Sequence, residues 1–374
     1  MGDDTYKHQP KFMSLDTIRN LAIRINSHCL EKNVGEAFIT FHGGEPLLAS
    51  KDFYQSAIDV FRSIIDKSIK TSFTVQTNGT LLNPDWVALF GMLKIQIGVS
   101  IDGTKSSNDK NRYYHNYQGT FDDILKGISH VKADELGLIS VVNTNESPAE
   151  IYELYKETKA TVVTLLFPDI HHDHIKKDSQ KSDYGAWVIE LYKIWRKDKA
   201  KSRPRISLFE IIISILIGNK SGDEILGTVE LGSVVIETNG GIEVTDPLRI
   251  VSNGFTKNIL NVDKDEISEI TKLPIYKNYY FSHQDEVLCQ KCRDCPISGI
   301  CGGGYFAHRY SSLNGFDNPS VYCNDLVKII THIQNDFIES LPQTLLNDLG
   351  LEKISYEEVV ETWSKSINKH LTWY

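Results

Sequence analysis

Long apolar runs are missing from this sequence. The longest one, residues 206–218 (ISLFEIIISILIG), is shorter than the roughly 20 residues that a membrane-spanning helix needs, and it contains a glutamate. Residues 1–13 (MGDDTYKHQPKFM) are polar and contain no apolar segment of the kind that forms a secretory signal. We therefore expect a buried helix at 206–218, no membrane partner and a cytoplasmic protein.

An excess of positive charge is also missing. The chain has 40 Lys and Arg against 49 Asp and Glu, which gives a net charge of -9. Because affinity for nucleic acids depends largely on clustered Lys and Arg, we expect no nucleic-acid partner, whereas a basic or neutral peptide remains possible. The 24% charged and 41% hydrophobic residues are typical of a globular protein, and the length indicates two or three domains.

Cysteine is scarce, with six in 374 residues, and five of the six lie near the C-terminal end. These five are Cys289, Cys292, Cys295, Cys301 and Cys323. Two successive Cys-x2-Cys steps followed by Cys301 place several sulfurs on one short loop, which suits a metal ion or an iron–sulfur cluster. The glycines at 302–304 allow a tight turn beside them.

Two other interpretations of the cysteines remain open. A disulfide framework is disfavoured because a cytoplasm keeps thiols reduced. A structural zinc takes four ligands, whereas five cysteines with the rhythm Cys-x2-Cys-x2-Cys-x5-Cys suit a cluster better. The sixth cysteine, Cys29, lies alone in a predicted helix and is expected to be a buried small apolar residue.

Short β-rich runs alternate with helical patterns through the first half of the chain. The predicted strands are 36–41, 71–76, 95–100, 138–143 and 161–167. The predicted helices are 14–33, 51–67, 84–92, 120–133 and one that begins at the Ser147-Pro148 capping box. This order implies parallel strands with right-handed crossovers, in an open α/β sheet or a barrel, with the chemistry at the carboxyl ends of the strands.

The second half of the chain begins with helix and then returns to β structure. Helices are expected at 184–199 and 206–218, an exposed linker at 175–182, and a hairpin across residues 233–246. His171, His172 and His174, with two nearby aspartates, favour either a metal site or, more simply, a solvated loop. From Tyr322 onward the pattern predicts at least two amphipathic helices.

Four motifs in this order and spacing resemble those of the radical S-adenosylmethionine (radical SAM) enzymes that carry a C-terminal SPASM domain. They are GGEPLL at 43–48, QTNGT at 76–80, VSIDG at 99–103 and the cysteine stretch. The resemblance covers roughly residues 1–345. Narrower details resemble the FxsB type of peptide maturase, which is associated with cyclophane crosslinks: LLFPDIHHD at 165–173, ETNGGIEVTDPLR at 237–249 and CGGGYFAHRYSSLNGFDNPSVYCNDL at 301–326.

The resemblance implies an α/β fold: a partial (β/α)6 radical SAM barrel lacking its first strand, followed by a helical linker and a cysteine-rich SPASM domain. On this basis the domains are residues 1–167 (barrel), 168–230 (helical linker), 231–335 (SPASM) and 336–374 (C-terminal helical tail). The implied cofactors are S-adenosylmethionine and a 4Fe-4S auxiliary cluster on some of the five cysteines.

The resemblance also implies the residues that contact S-adenosylmethionine. Gly43, Gly44 and Glu45 face its methionyl amino group, which suits an ammonium ion because carbonyls and a carboxylate are acceptors. Three more residues lie along the nucleoside side: Asn78, Ser100 and Asp102. Arg112 pairs with the methionyl carboxylate or is a surface loop arginine. No catalytic residue is assigned.

The sequence departs from the family pattern at two places. The family's Cys-x3-Cys-x2-Cys loop and the first barrel strand, which precede the helix at 14–33, are absent from the 374 residues, so the radical-generating cluster is not encoded here. Asp246 and Tyr305 occupy positions where the SPASM pattern usually has cysteine. One auxiliary cluster is therefore expected rather than two.

The leading hypothesis is a radical SAM peptide maturase that forms a carbon–carbon crosslink in a ribosomally made precursor peptide, active if the missing loop lies upstream. It implies an electron donor such as flavodoxin or ferredoxin. The alternatives are a cluster-less homologue that binds a peptide or a partner enzyme, and a zinc-stabilised interaction module. The sequence does not determine the peptide or the oligomeric state.

Overall fold

A computed structural model describes residues 3–175, 182–342, 344 and 352–371. The linker predicted at 175–182 and part of the predicted tail at 336–374 therefore lie outside the described residues. The chain divides into two compact units. The first contains Met1–Val141, Glu153–Leu165 and Ser233–Tyr276, and the second contains Val142–Tyr152, Leu166–Gly232 and Lys277–Tyr374. None of the helices in the described part combines the length and the apolar character that crossing a membrane requires.

A six-stranded sheet forms the centre of the fold, with its strands in sequence order. The strands are β1 (Glu36–Phe41), β2 (Lys70–Thr77), β3 (Ile95–Ser100), β4 (Leu136–Val141), β5 (Val162–Leu166) and β6 (Arg205–Ile206). β1 to β4 pair in parallel, for example with Glu36 opposite Lys70 and Phe73 opposite Ile95. Parallel neighbours in sequence order require a crossover after each strand, and the intervening helices provide it.

Most helices are slightly shorter than the sequence pattern predicts, although the one predicted at 84–92 is one residue longer and the one at 105–111 was not predicted. They are α1 (Leu15–Lys32), α2 (Lys51–Ile64), α3 (Pro84–Leu93), α4 (Lys105–Asn111), α5 (Phe121–Ile128), α6 (Pro148–Glu157), α7 (Tyr184–Lys197), α8 (Ser207–Leu216), α9 (Pro274–Tyr280), α10 (Gln290–Arg293), α11 (Ser298–Cys301), α12 (Cys323–Glu339) and α13 (Tyr356–Leu371). Ser14 caps α1 as predicted, since its side chain accepts a hydrogen bond from the Thr17 amide at 3.0 Å. Cys29 is buried in α1, also as predicted.

The core of the first unit lies between the sheet and its helices. Val75 and Val99 on neighbouring strands are fully buried, and α2 covers them with apolar residues at helical spacing, such as Ile58 and Phe61. The Tyr54 ring in α2 makes edge-on contacts with the rings of Trp86 and Phe90 in α3. Because these side chains exclude water from one face of the sheet, the strand ends are held in fixed register.

A short antiparallel hairpin, β7 (Val235–Ile236) and β8 (Ile242–Glu243), also belongs to the first unit and confirms the predicted hairpin. Glu243 is buried in it and accepts hydrogen bonds from Thr256, Lys257 and Arg249. The charge of this carboxylate is thus compensated within the unit, which a buried ion requires.

The second unit is built around α12, which packs against α7 and α8. The buried Tyr192 and Trp195 of α7 contact the ring of Phe209 in α8. Tyr192 Oη donates a 2.6 Å hydrogen bond to the Asp336 carboxylate, and Arg196 Nε donates a second one at 3.1 Å. An aromatic core with a charged pair at its rim therefore joins α7 to α12.

Candidate functional site

The carboxyl ends of β1, β2 and β3 lie side by side at one edge of the sheet, and Glu45 connects two of them. Glu45 Oε1 accepts hydrogen bonds from the Leu47 amide (2.9 Å) and the Thr77 hydroxyl (2.7 Å), and Oε2 accepts one from the Asn78 amide (2.8 Å). Thr77 is 1% exposed, so one of these donors is buried. The carboxylate therefore holds the loop after β1 against the loop after β2.

The loop after β2 is further ordered by Asn78. Its Oδ1 accepts from both the amide (3.0 Å) and the hydroxyl (2.8 Å) of Thr80. Gly79 has a φ of +81°, and a Cβ there would lie 2.8 Å from a Val99 methyl, so only glycine fits without movement. The predicted Asn-Gly turn is therefore rigid.

After β3, the chain brings together Asp102 and Arg112, which the resemblance assigned to the nucleoside side and to the methionyl carboxylate of S-adenosylmethionine. Arg112 Nε donates to Asp102 Oδ2 at 2.7 Å, and the two side chains are 27% and 15% exposed. Asp102 Oδ1 also accepts from the Val141 amide at 3.2 Å, at the end of β4. The Arg112 side chain is therefore held by an ion pair, and its Nε is bonded to the Asp102 carboxylate.

Ser100 and the two glycines complete this edge. Ser100 Oγ accepts a 2.9 Å hydrogen bond from Gln76 Nε2 on the neighbouring strand. A Cβ added at Gly43 or Gly44 would meet no other atom within 4 Å, so the backbone there faces open space. Five of the seven residues predicted for S-adenosylmethionine thus lie in the loops after β1, β2 and β3, whereas Ser100 ends β3 and Arg112 directly follows α4. Acceptors beside an Arg–Asp pair suit a ligand that carries both an ammonium group and a carboxylate.

Four of the five C-terminal cysteines line one cavity in the second unit. They are Cys292, Cys295, Cys301 and Cys323. Cys289 is not among the residues that line this cavity, and its sulfur lies 3.5 Å from that of Cys292. The sequence left open which of the five cysteines would act as ligands, because Cys323 is 22 positions from Cys301. In the structure Cys323 begins α12, and this helix places it at the cavity.

The buried guanidinium of Arg309 gives these sulfurs a positively charged environment that is shielded from solvent. Arg309 is 1% exposed, and its guanidinium donates hydrogen bonds to the carbonyls of Ser282, Gly302, Gly303 and Gly304 at 2.7–3.0 Å. No carboxylate of the described residues forms an ion pair with it. A buried cation without an acidic partner favours an anionic group nearby.

Burial also keeps the isolated thiols neutral. It raises the pKa of Cys301 to about 12 and that of Cys323 to about 11. The sulfur–sulfur hydrogen bond between Cys289 and Cys292 acts in the other direction and lowers the pKa of the Cys289 thiol. Cysteine ligands bind metal as thiolates, so a bound group would have to supply the positive charge that stabilises the deprotonated sulfurs. Four thiols around one cavity beside Arg309 fit an anionic iron–sulfur cluster.

Tyr305, one of the two residues predicted to stand in place of a cysteine, belongs to a hydrogen-bond network. Tyr305 Oη donates to Glu224 Oε2 at 3.1 Å, and Tyr279 donates to the other oxygen of the same carboxylate. The solvated loop that we favoured is wrong for one of the three histidines: His171 is buried, with its ring centre 3.8 Å from that of His174, whereas His172 is half-buried and His174 is exposed. Among the described residues, no group of three or more His, Cys, Asp or Glu side chains is close enough to hold a single metal ion.

Comparison with solved structures shows that the fold is shared with proteins solved with bound AdoMet or with a bound precursor peptide. The structure titled native anSMEcpe with bound AdoMet matches 87% of this chain and 89% of its own, with a TM-score of 0.74 and 21% identity. Streptococcus suis SuiB bound to precursor peptide SuiA matches 82% of this chain and 69% of its own, with a TM-score of 0.53 and 15% identity.

Among proteins of curated function, relatives are anaerobic sulfatase-maturating enzymes. The cysteine-type enzyme of Clostridium novyi (strain NT) is 27% identical over 298 residues, which is 76% of this chain and 76% of the relative. No family model matches the chain. These likenesses support the radical SAM and SPASM interpretation of the sequence, without distinguishing the FxsB type.

Proposed function

We propose that this protein is a radical SAM maturase that modifies a ribosomally made peptide. It binds S-adenosylmethionine through Gly43, Gly44, Glu45, Asn78, Ser100, Asp102 and Arg112, and one 4Fe-4S auxiliary cluster through Cys292, Cys295, Cys301 and Cys323. The observation that carries the proposal is that Glu45 joins the loops after β1 and β2 and that Gln76 of β2 bonds to Ser100 at the end of β3, in a chain whose fold matches a structure with bound AdoMet.

The chain's own residues contribute positioning and electrostatics. Glu45 keeps the Gly43–Gly44 backbone beside the Asn78 turn, so that its carbonyls stay aimed at the methionyl ammonium group. Asp102 holds Arg112 in place through Nε, so the other guanidinium nitrogens would bind the carboxylate of the ligand. The 374 residues contain no Cys-x3-Cys-x2-Cys run that could hold a radical-generating cluster; such a cluster, held by residues outside this sequence, would supply the electron that splits S-adenosylmethionine.

The reaction is the formation of a carbon–carbon crosslink of the FxsB type. One hydrogen atom leaves a side-chain carbon of the peptide and ends in 5'-deoxyadenosine. The carbon radical attacks an aromatic ring, and the ring then loses a proton and an electron to recover its aromaticity. The peptide loses two hydrogen atoms in total; the auxiliary cluster would take up the surplus electron, and an electron donor such as flavodoxin or ferredoxin would supply the electron that splits S-adenosylmethionine. These partners imply a cytoplasmic reaction.

The test uses the protein isolated from its own cells, since the 374 residues contain no Cys-x3-Cys-x2-Cys run. Incubated without oxygen with S-adenosylmethionine, a reductant and a peptide encoded beside its gene, it should produce 5'-deoxyadenosine and a peptide lighter by two hydrogens. Binding of the peptide with no cleavage of S-adenosylmethionine would instead support the peptide-binding homologue.

A second candidate function is suggested by the sulfatase-maturating relatives. In that case the substrate is a segment of a sulfatase rather than a small precursor peptide. The same assay separates the two when a cysteine-containing sulfatase peptide is supplied alongside the neighbouring-gene peptide, because only the substrate that is turned over changes mass. Turnover of the sulfatase peptide alone would replace the crosslinking proposal.

A further inference from the structure

Helix α13 (Tyr356–Leu371) lies beyond the region that resembles known enzymes, yet it contributes a side chain to the sulfur cavity. Trp363 lines the cavity together with Cys292, Cys295, Cys301 and Cys323. The side chain is 7% exposed, so its ring separates the cavity from solvent on that side. Both the helix and the cysteines belong to the second compact unit.

The polar end of the indole is buried at the sulfur cavity. Trp363 Nε1 has no hydrogen-bond partner of good geometry among the described residues, and the side chain lines the same cavity as the Cys295 thiol. Burial raises the pKa of that thiol, and the Trp363 N–H acts in the opposite direction. Since buried N–H groups are nearly always satisfied, an acceptor stronger than a neutral thiol is expected at this position.

A cation–π contact joins the ring to the cysteine loop. Lys291 Nζ lies 3.6 Å from the centroid of the Trp363 ring, and Lys291 also lines the cavity. Because Lys291 directly precedes Cys292, this contact attaches α13 to the loop that carries the cysteines.

We propose that Trp363 is a positioning residue of the cluster site, which covers the sulfur cavity with its ring and directs its indole N–H to the sulfur of Cys295. The proposal rests on the proposed function, because the thiolate form of Cys295 that accepts this hydrogen bond is the cluster-bound one. Helix α13 is then part of the cofactor site rather than a dispensable tail.

The proposal gives Trp363 two effects, a hydrogen bond to sulfur and the covering of the cavity, and two substitutions separate them. An N–H···S hydrogen bond stabilises the more negative, reduced state of a cluster, so Trp363→Phe should shift its midpoint potential to a lower value while the ring still covers the cavity. Trp363→Ala removes both the ring and the N–H, so water and oxygen should reach the sulfurs.

The first measurement uses the metal-free chain and follows the alkylation rate of each cysteine by mass spectrometry. Trp363→Ala should increase the rate at Cys295 several-fold and leave buried Cys29 unchanged, whereas Trp363→Phe should keep the native rate. The matched control is Trp86→Phe, since Trp86 is also 7% exposed but lies in the first unit. This substitution should change the alkylation rate of neither Cys295 nor Cys29. An unchanged rate at Cys295 in Trp363→Ala would overturn the covering role.

The second measurement uses the reconstituted protein and follows the midpoint potential of the cluster. A lower potential in Trp363→Phe, with the Trp86→Phe control unchanged, supports the hydrogen bond, and equal potentials in all three proteins overturn it. Iron and sulfide per chain are determined separately. If the native protein binds neither, the cluster assignment fails, while the alkylation rates still decide whether Trp363 covers the cavity.

Discussion

At the scale of single residues, Glu45 has a structural role beside the ligand contact that the motif suggests. Resemblance implies a carboxylate that faces the ligand, whereas the structure shows both oxygens bonded to the backbone or hydroxyl groups of Leu47, Thr77 and Asn78. A carboxylate has about four acceptor positions, so three bonds leave room for a ligand ammonium group. Its larger contribution is to keep two loops together.

We predict that Glu45→Ala destabilises the fold by about 1–3 kcal/mol, because three donors lose their acceptor and the Thr77 hydroxyl is buried. The affinity for S-adenosylmethionine should fall at least tenfold, about 1.4 kcal/mol in binding free energy. Denaturant unfolding and calorimetric titration measure the two effects. Glu31→Ala, which alters an exposed residue of α1, is the control. Unchanged affinity in Glu45→Ala would contradict the assigned site.

A second prediction at this scale concerns the fifth cysteine. Cys289→Ser should bind as much iron and sulfide as the native chain, since Cys289 does not line the cavity. Cys295→Ser should bind substantially less, since one of four ligands is lost. Analysis of iron and sulfide after anaerobic reconstitution measures the cluster content of both variants. An equal loss of iron and sulfide in Cys289→Ser and Cys295→Ser would mean that the ligand set is not the one proposed.

At the scale of elements, the turn after α11 depends on glycine. Gly303 has a φ of +79°, and a Cβ there would lie 2.5 Å from a Leu288 methyl and 2.8 Å from Arg309 Nη2. The turn lets its carbonyls converge on the buried Arg309, which therefore holds the segment between Cys301 and α12. A side chain would separate these groups.

We predict that Gly303→Ala costs about 2–4 kcal/mol of stability through backbone strain and overpacking. Gly299→Ala is the matched control. It lies four positions earlier in α11, where an added Cβ meets nothing within 4 Å, so it should be neutral or stabilise by up to about 1 kcal/mol. Thermal unfolding of both variants gives the comparison, and similar melting temperatures would show that the turn tolerates a side chain.

The contact between α7 and α12 should depend on pH through Asp336. Burial acts to raise the pKa of this carboxyl, but hydrogen bonds from Tyr192 and Arg196 outweigh it and hold the pKa below 3.8. A lowered native pKa means that the stabilisation is present above the unfolded pKa and is lost as the pH falls through the native pKa.

Asp336→Asn should therefore reduce stability at pH 7 by about 1–2 kcal/mol, since a half-exposed charged acceptor is replaced by a neutral one. The difference from the native protein should shrink as the pH falls below about 4. Unfolding curves between pH 3 and pH 7 test this. A constant difference across that range would show that the carboxylate charge is not what stabilises the contact.

At the scale of the whole molecule, the two units should respond differently to loss of the cluster. Ligand binding that occurs only in the folded state stabilises that state, and metal binding in particular is coupled to folding. We predict that chelation of iron increases amide hydrogen exchange across residues 289–323, while exchange in β1, β2 and β3 stays the same. Hydrogen-exchange mass spectrometry measures both regions in one experiment. Uniform loss of protection would mean that the cluster stabilises the entire chain.

Much of the first unit was predictable because its signals are local. Apolar periodicity and the Ser14 cap gave α1 within one residue at each end, and β1 and β3 match their predicted bounds. β6, with only two residues, and α4, which is polar throughout, were missed since neither has an apolar pattern. The burial of His171 was also missed, because it depends on contacts with His174 and Tyr310 rather than on its neighbours in sequence.

The sequence alone determined the chemistry that is available: a scarce set of thiols on one loop, glycine-containing turns after parallel strands, and the motifs that identify the fold. Only the tertiary structure decided which residues meet. It joined Glu45 to Thr77, paired Arg112 with Asp102, selected four of the five cysteines and brought Trp363 to the sulfurs. The physical reason is that spacing fixes what one loop or helix presents, whereas contacts between distant segments depend on the packing of the elements that carry them.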